Sequence, residues 1–254
     1  MKLWLDELLR EAAAMALECR RNGFEIDIKP DGSPVTSADL AVHDLLAGRI
    51  RDRFPGDCIL SEEGADPESV RRAARRAWLI DPIDGTQLYI DGHADYSILV
   101  GLWEEGAMTA SAAAWPEHGL ILYAEKGRGC FVNAEPATVS GRCIEEARLC
   151  GYGARYQALT NTPNPDVSCA RAIVRILEGE LDGCLMAMSP TWGEHDIAFA
   201  ACALAEAGGV LSDGFGQPLP LNAHPRVRPA VIAASNGVIH DDLIHLAQQS
   251  AERA

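Results

Sequence analysis

Apolar positions between residues 3 and 21 recur at helical spacing (Leu5, Leu8, Leu9, Ala12, Ala16), so the chain is expected to open on an amphipathic helix that Asn22-Gly23 ends. Pro30-Asp31-Gly32-Ser33-Pro34 is dense in turn formers and reads as a loop. A second helix is predicted from Thr36-Ser37-Ala38-Asp39 to about Arg53, with Thr36 as N-cap and Asp39 at the third helical position. Two short apolar runs follow, Cys58-Ile59-Leu60 and Ala77-Trp78-Leu79-Ile80, which read as buried strands. Ser61-Glu62-Glu63-Gly64 closes the first and Asp81-Pro82-Ile83-Asp84-Gly85-Thr86 stops the second. The polar, basic stretch between them (65–76) is expected to be a surface helix or loop.

From Tyr96 to Val132, apolar runs are broken by Glu104-Glu105-Gly106, Pro116-Glu117-His118-Gly119 and Gly127-Arg128-Gly129, the punctuation of an antiparallel meander. Beyond about residue 145 the pattern alternates. Ser168 to Glu178 reads as helix, Leu181 to Met188 as strand and Ile197 to Ala207 as helix. A strand near Val210, another at Ala230 to Ala234 and a C-terminal helix complete it. The expected fold class is α/β (α+β layered), with alternating helix and sheet layers. The expected organisation is an N-terminal α+β lobe over 1–140 and a C-terminal α/β lobe over 141–254, joined as a single compact unit.

Composition narrows the function classes. The chain has 254 residues, 48% hydrophobic and 23% charged, which excludes disorder, a collagen-like fibre and a small disulfide scaffold. No run of about 18 apolar residues is present, so no membrane span is expected. Asp6, Glu7, Arg10 and Glu11 interrupt the N-terminal apolar pattern, which argues against a secretory leader and for a cytoplasmic location. Twenty-two Lys+Arg against 37 Asp+Glu leave a net charge of −15, which sets the chain against long nucleic acid as a partner. A small phosphorylated substrate remains compatible if cations stand between it and the protein. Eight cysteines, none at zinc-knuckle or redox-motif spacing, read mostly as reduced core residues.

Spacing removes several chemistries. The chain lacks a Gly-x-Ser-x-Gly elbow, a Gly-x-x-x-x-Gly-Lys phosphate loop and a His-x-x-x-His zinc pair, and Gly151-Tyr152-Gly153 lacks the third glycine of a dinucleotide fingerprint. Asp91-Gly92-His93-Ala94-Asp95 reads as a polar loop. What remains is a set of acids at the ends of buried elements: Glu62 and Glu63, Asp81 and Asp84, and Asp196 before a helix. Carboxylates that converge repel one another unless cations neutralise them, and hard oxygen donors suit Mg2+. Each acid also has a plainer reading. Asp81-Pro82 and Asp84-Gly85 are turn dipeptides, Asp39 completes a capping box, Asp196 caps its helix, and Glu62-Glu63 is a solvated loop.

Trp78-Leu79-Ile80-Asp81-Pro82-Ile83-Asp84-Gly85-Thr86 closely resembles the first signature of the inositol monophosphatase superfamily. Asp196-Ile197-Ala198 with Ala205-Glu206-Ala207-Gly208-Gly209 resembles its second, and Val35-Thr36-Ser37-Ala38-Asp39 and Ser61-Glu62-Glu63-Gly64 are similar to two further blocks. The resemblance covers about residues 30 to 235 and implies a layered fold of the sugar-phosphatase type. It implies Mg2+ (two or three ions) held by Glu62, Asp81, the carbonyl of Ile83, Asp84 and Asp196. Asp39 and Thr86, with Glu62, match the catalytic group that orients and activates an attacking water, and Gly85 and Thr86 offer backbone N–H groups to the phosphate. Substrate contacts are implied at Ser168 and Ser189. Lithium sensitivity and a homodimer are further expectations.

The chain departs from the family pattern at Leu88 (usually Asn), His195 (usually Trp), Ser189 (where inositol-binding members carry an acid) and Val167 (usually Gly). None of the four is expected to touch the ions; all bear on the inositol ring. The expected activity is hydrolysis of an inositol- or sugar-phosphate-type phosphomonoester by in-line attack of an activated water. Histidinol phosphate and a 3′-phosphoadenosine nucleotide are the alternative substrates. A catalytically inactive scaffold is the alternative of another class, opposed by the presence of Asp39, Glu62, Asp81, Asp84, Thr86 and Asp196 together.

Overall fold

A computed structural model describes every residue except 65–67, 158–160, 163–167, 190–191, 223–228 and 253–254. The opening helix α1 (Lys2–Asn22) turns its apolar stripe of Leu5, Leu8, Leu9, Ala12 and Ala16 inward. A hairpin of β1 (Ile26–Ile28) and β2 (Pro34–Thr36) follows, so the predicted loop is shorter than expected and Pro34 continues into a strand. Proline is tolerated here because this two-stranded ribbon is all edge. The second helix, α2 (Ser37–Arg53), starts as predicted. Thr36 Oγ1 accepts from the N–H groups of Ala38 and Asp39, and the Asp39 carboxylate accepts from the Thr36 N–H.

Strand β3 (Cys58–Ser61) leads through α3 (Glu68–Ala73) to β4 (Arg76–Asp84). Here the structure corrects the expected stop at Ile80, because β4 runs through Pro82 to Asp84. Its pairing with β5 (Ser97–Glu104) shifts register between Asp81 and Asp84. A bulge leaves a residue outside the ladder, and a proline without an N–H fits there without cost to the sheet. After the short helix α4 (Thr86–Ile90), the predicted meander is present as β5, β6 (Ala107–Trp115), β7 (Leu120–Glu125), β8 (Gly129–Val132) and β9 (Glu135–Ala137). The strands form one sheet in the order β3-β4-β5-β6-β7-β8-β9, with β3 and β4 parallel and the rest antiparallel.

The C-terminal part contains β10 (Leu149–Tyr152), α5 (Ala154–Gln157), α6 (Cys169–Leu177), β11 (Gly183–Ala187), α7 (Ala198–Ala207), β12 (Val210–Asp213), β13 (Val231–Ser235) and α8 (His240–Glu252). Its sheet runs β10-β11-β13-β12. Strand β10 and the short helix α5 are elements of this part that the pattern failed to predict. Gly151 interrupts the strand, and a Cβ there would meet the Tyr156 carbonyl oxygen at 2.6 Å, so close helix packing excludes the side chain that would have marked a strand.

The large sheet is buried on both faces. Trp78, Ile80, Ile98, Val100 and Ala112 face α1 and α2. Leu99, Ala113, Trp115 and Leu122 face the opposite way, into a core shared with α6, α7, β10 and β11. Beyond the second sheet, Leu185, Val231 and Ala233 pack on Ile239, Leu243 and Ala247 at α8. The result is the expected α/β stack of helix and sheet layers. All eight cysteines are free; Cys130, Cys150, Cys184 and Cys202 are core residues as expected, whereas Cys143 is exposed. Among the described residues, no helix is long and apolar enough to cross a membrane.

Candidate active site

Parallel pairing brings the C-terminal ends of β3 and β4 to one edge, with Ser61 opposite Ile80 and the Glu62 N–H donating to the Ile80 carbonyl at 3.1 Å. Glu62 and Asp81, the next residues on each strand, are therefore neighbours. The β4 bulge then turns Ile83 and Asp84 towards the same space, and Asp196 arrives just ahead of α7. A cavity of about 320 Å³ lies between them, lined by Glu62, Asp81, Ile83, Asp84, Gly85, Thr86, Leu88, Ser168, Cys169, Trp192 and Asp196. Ligands collect at such strand ends because loops from distant sequence meet there.

The carboxylates form two overlapping groups. One oxygen from each of Asp81, Asp84 and Asp196 lies within 4.8 Å of the others, and the same holds for Glu62, Asp81 and a ring nitrogen of His195. Asp81 is fully buried, and neither of its carboxylate oxygens has a hydrogen-bond partner among the described residues. Such an orphan is costly unless a cation completes it. Burial, together with the charges of Glu62, Asp84 and Asp196, holds the Asp81 carboxyl far above the usual carboxylate range. Burial and the charge of Asp196 push Asp84 up to about 7, against the Ser97 hydroxyl that donates to its Oδ2 at 2.8 Å. Asp196 also rises to about 7, through burial and Glu62, although the Gly193 N–H donates to its Oδ2 at 2.5 Å. Without a cation these carboxylates cannot all ionise at neutral pH; a divalent ion reverses that balance. The donor set therefore fits a hard metal ion.

Beside the cluster, the two oxygens of Asp39 divide their work. Oδ2 accepts from the Thr36 N–H and Oγ1 at 2.8 and 2.5 Å, and Oδ1 accepts from the Thr86 hydroxyl at 3.2 Å. Thr86 Oγ1 is also 3.1 Å from the Ile83 carbonyl, which ties the hydroxyl between strand and helix. Burial raises Asp39 above the usual carboxylate range. Gly85 has a φ of +80° where the chain turns from β4 into α4, a conformation that L side chains rarely adopt.

A model of the inositol monophosphatase family matches residues 5–252. The chain belongs to that family. It is 32% identical to the histidinol-phosphatase of Mycobacterium tuberculosis, over 94% of this chain and 92% of that protein. It is 29% identical to inositol-1-monophosphatase SuhB of the same organism, over 96% of this chain and 92% of that one. The solved structure of Thermotoga maritima IMPase superposes with a TM-score of 0.81 at 26% identity, covering 97% of this chain and 96% of that one. This family member is thus a phosphoric monoester hydrolase, and its acidic cluster agrees with the metal dependence of the family.

With the fold in place, the plainer readings of single residues separate. Asp81 and Asp84 lie inside β4 rather than in a turn. Asp196 does not cap α7, whose N-cap is Ile197. Asp39 does complete its capping box, yet still presents Oδ1 to Thr86. Glu62 and Glu63 are not a freely solvated loop, since Lys29 Nζ reaches them at 2.7 and 2.5 Å. Ser168 lines the cavity, its hydroxyl 3.4 Å from Asp84 Oδ2. Ser189 is not among the cavity-lining residues, and its carbonyl accepts from the Trp192 N–H at 3.1 Å. Val167 lies outside the described residues. Asp91 to Asp95 is a loop, where Asp95 meets His118 at 2.7 Å.

His195, at a position not expected to touch the ions, brings Nε2 to 3.5 Å from Asp196 Oδ2 and 3.9 Å from Glu62 Oε2. An imidazole is smaller and more polar than the Trp usual at this position, and it turns its edge to the acids. Lys29 and Ser97 were missed altogether. Ser97 stands opposite Asp84 in the β4–β5 register, so it becomes legible only once the pairing is known.

Proposed function

We propose that this phosphatase hydrolyses an inositol- or sugar-phosphate-type monoester with Mg2+ as its ion, two or three per site. The observation that carries this reading is Asp81, fully buried with two unpartnered oxygens at the meeting point of Glu62, Asp84 and Asp196. Glu62, Asp81, the Ile83 carbonyl, Asp84 and Asp196 are the proposed ligands. Mg2+ bound there supplies a Lewis acid for the phosphoryl oxygens and lowers the pKa of a water. Asp39 and Thr86, with Glu62, hold and orient the attacking water. Asp39 Oδ1 and the Thr86 hydroxyl already point at each other across the edge of the cavity. Gly85 and Thr86, opening α4, offer N–H groups that have no partner within their own helix. Ser168 contacts the alcohol half of the substrate, and Leu88 and Trp192 give that half an apolar wall, whereas Ser189, the other serine expected there, stands outside that lining and is given no contact.

A cavity of about 320 Å³ is at the small end of ligand pockets, which favours a compact metabolite over a 3′-phosphoadenosine nucleotide. A second substrate, histidinol phosphate, is favoured by the 32% identity to a histidinol-phosphatase over nearly the whole chain. We further propose a homodimer, inhibition by Li+ and a cytoplasmic location. The test is a phosphate-release panel containing myo-inositol 1-phosphate, sugar phosphates and histidinol phosphate, with Mg2+ and with EDTA. Ser189 lacks the charge of the acid that other members present to inositol, so myo-inositol 1-phosphate should be beaten by another monoester. Full turnover in excess EDTA, or the highest kcat/KM on myo-inositol 1-phosphate, overturns the corresponding half of the proposal.

A further inference from the structure

We propose that Glu62, Asp81 and His195 form a mixed nitrogen–oxygen metal position that prefers an imidazole-accepting divalent ion such as Co2+ or Mn2+ over Mg2+. The proposal rests on the metal-centre reading above and deepens it: the two overlapping groups of donors differ in chemistry. Asp81, Asp84 and Asp196 supply oxygen alone, whereas Glu62 and Asp81 are joined by a ring nitrogen. Asp81 belongs to both groups, so its two unpartnered oxygens are placed to serve two neighbouring ions.

The geometry suits coordination. Donors on opposite sides of one ion with bonds of ~2.1 Å are ~4.2 Å apart, and the three atoms already lie within 4.8 Å of one another. The imidazole also has a place made for it. Gly193 leaves open the space against which the ring lies, since a Cβ there would overlap Cε1 of His195. The Gly193 N–H meanwhile holds Asp196, so the same turn sets both residues. Glu62 is divided in a matching way: Oε1 is taken by Lys29 at 2.7 Å, while Oε2 faces His195 Nε2 at 3.9 Å. Imidazole binds first-row transition ions well and Mg2+ poorly, so the nitrogen donor selects between them while the all-oxygen group does not.

The experiment uses the full-length protein stripped of metal. Pulsed EPR of the Mn2+-loaded wild type should show coupling to a directly bound imidazole 14N. Calorimetric titration of the wild type and His195→Phe should show Co2+ binding weakened by about tenfold or more in the variant, with Mg2+ affinity within about twofold. Bound Mn2+ without 14N coupling, or Co2+ and Mg2+ affinities that fall together, overturns the proposal and leaves the metal centre standing. Failure of that centre reads differently: Asp81→Asn would then leave the binding of every ion unchanged. The wild-type spectrum decides the matter even if His195→Phe does not fold.

Discussion

Asp39 Oδ1 and Thr86 Oγ1 meet at 3.2 Å across 47 residues of sequence, joining the first turn of α2 to the first turn of α4. Asp39 holds α2 through one oxygen and faces the cavity edge through the other, so cap and catalytic reading are both true of one side chain. The two roles can be separated by substitution. Asp39→Asn keeps an acceptor for the Thr36 N–H and should cost no more than about 1 kcal/mol of stability. Turnover should fall by about 10²–10⁴, the range of a lost general base. Thr86→Val should lose activity, whereas Thr86→Ser, which keeps the hydroxyl, should retain most of it. Denaturation curves beside kcat for the three variants check this, and an active Asp39→Asn enzyme would confine Asp39 to capping.

The metal-free protein should lose stability as pH rises. Asp84 and Asp196 are held up to about 7 in the fold, against about 3.9 for a free Asp, so the native state binds more protons than the unfolded chain. The stability this gives is complete below the unfolded pKa and disappears as pH passes the folded value. His43, His195 and His240, lowered by burial, oppose this fall in part, because near pH 6.5 the unfolded chain still binds protons at histidines that the fold disfavours charging. Between about pH 6.5 and 8.5 the two carboxylates remove on the order of 1–2 kcal/mol, of which the three histidines return about 1, so the net fall in Tm is about 1–3 °C for a chain of this size. Scanning calorimetry in EDTA should show that fall. Saturating Mg2+ should abolish or reverse it, because protons and metal compete for the same oxygens. A profile in EDTA that rises across this window would mean that the cluster is already neutralised from within.

How much of this was legible follows the range over which each residue acts. Thr36 and Asp39 were readable because a capping box closes over three residues. The carboxylates of β3 and β4 were readable because buried strands must deliver their ends somewhere together. Pro82 misled because a proline normally stops a strand, and only the partner register of β5 reveals the bulge that accepts it. Lys29, Ser97 and His195 act on acids 33, 13 and 133 residues away (Glu62, Asp84 and, for His195, Glu62 again), contacts that no local pattern encodes.

Arg71 and Glu194 show the same long-range logic. Their side chains are 3% and 2% exposed, paired at 2.5 Å, and Glu194 Oε2 also accepts from the Asn222 N–H at 2.9 Å. The pair fixes the turn that carries His195 and Asp196, and the Glu194 carbonyl accepts from the Ala198 N–H at 2.8 Å to start α7. Glu194→Gln removes the charge from this buried hydrogen-bonded pair, so it should cost about 1.5–3 kcal/mol. Replacing both, as Arg71→Met with Glu194→Leu, should recover much of that loss. Urea denaturation of the singles and the double measures the coupling; additive losses would show that the two residues act independently.

Asp196 separates metal ligand from turn brace. If its carboxylate serves only to accept the Gly193 N–H, Asp196→Asn keeps an oxygen for that bond and should be nearly neutral in every assay. If it is a ligand, the metal-free site holds mutually repelling acids, and removing one charge relieves them. The metal-free variant should then melt no lower than the wild type, and at pH 8 somewhat higher. Its Mg2+-induced rise in Tm should shrink at the same concentration, because a ligand stabilises only as far as it binds the native state. Turnover should fall by about 10² or more, since the ion that stabilises the reacting oxygens is displaced. Melting curves of both proteins with EDTA and with Mg2+, run beside the phosphate-release assay, separate the outcomes. A full Mg2+ shift with full turnover would leave Asp196 as a brace for the turn before α7.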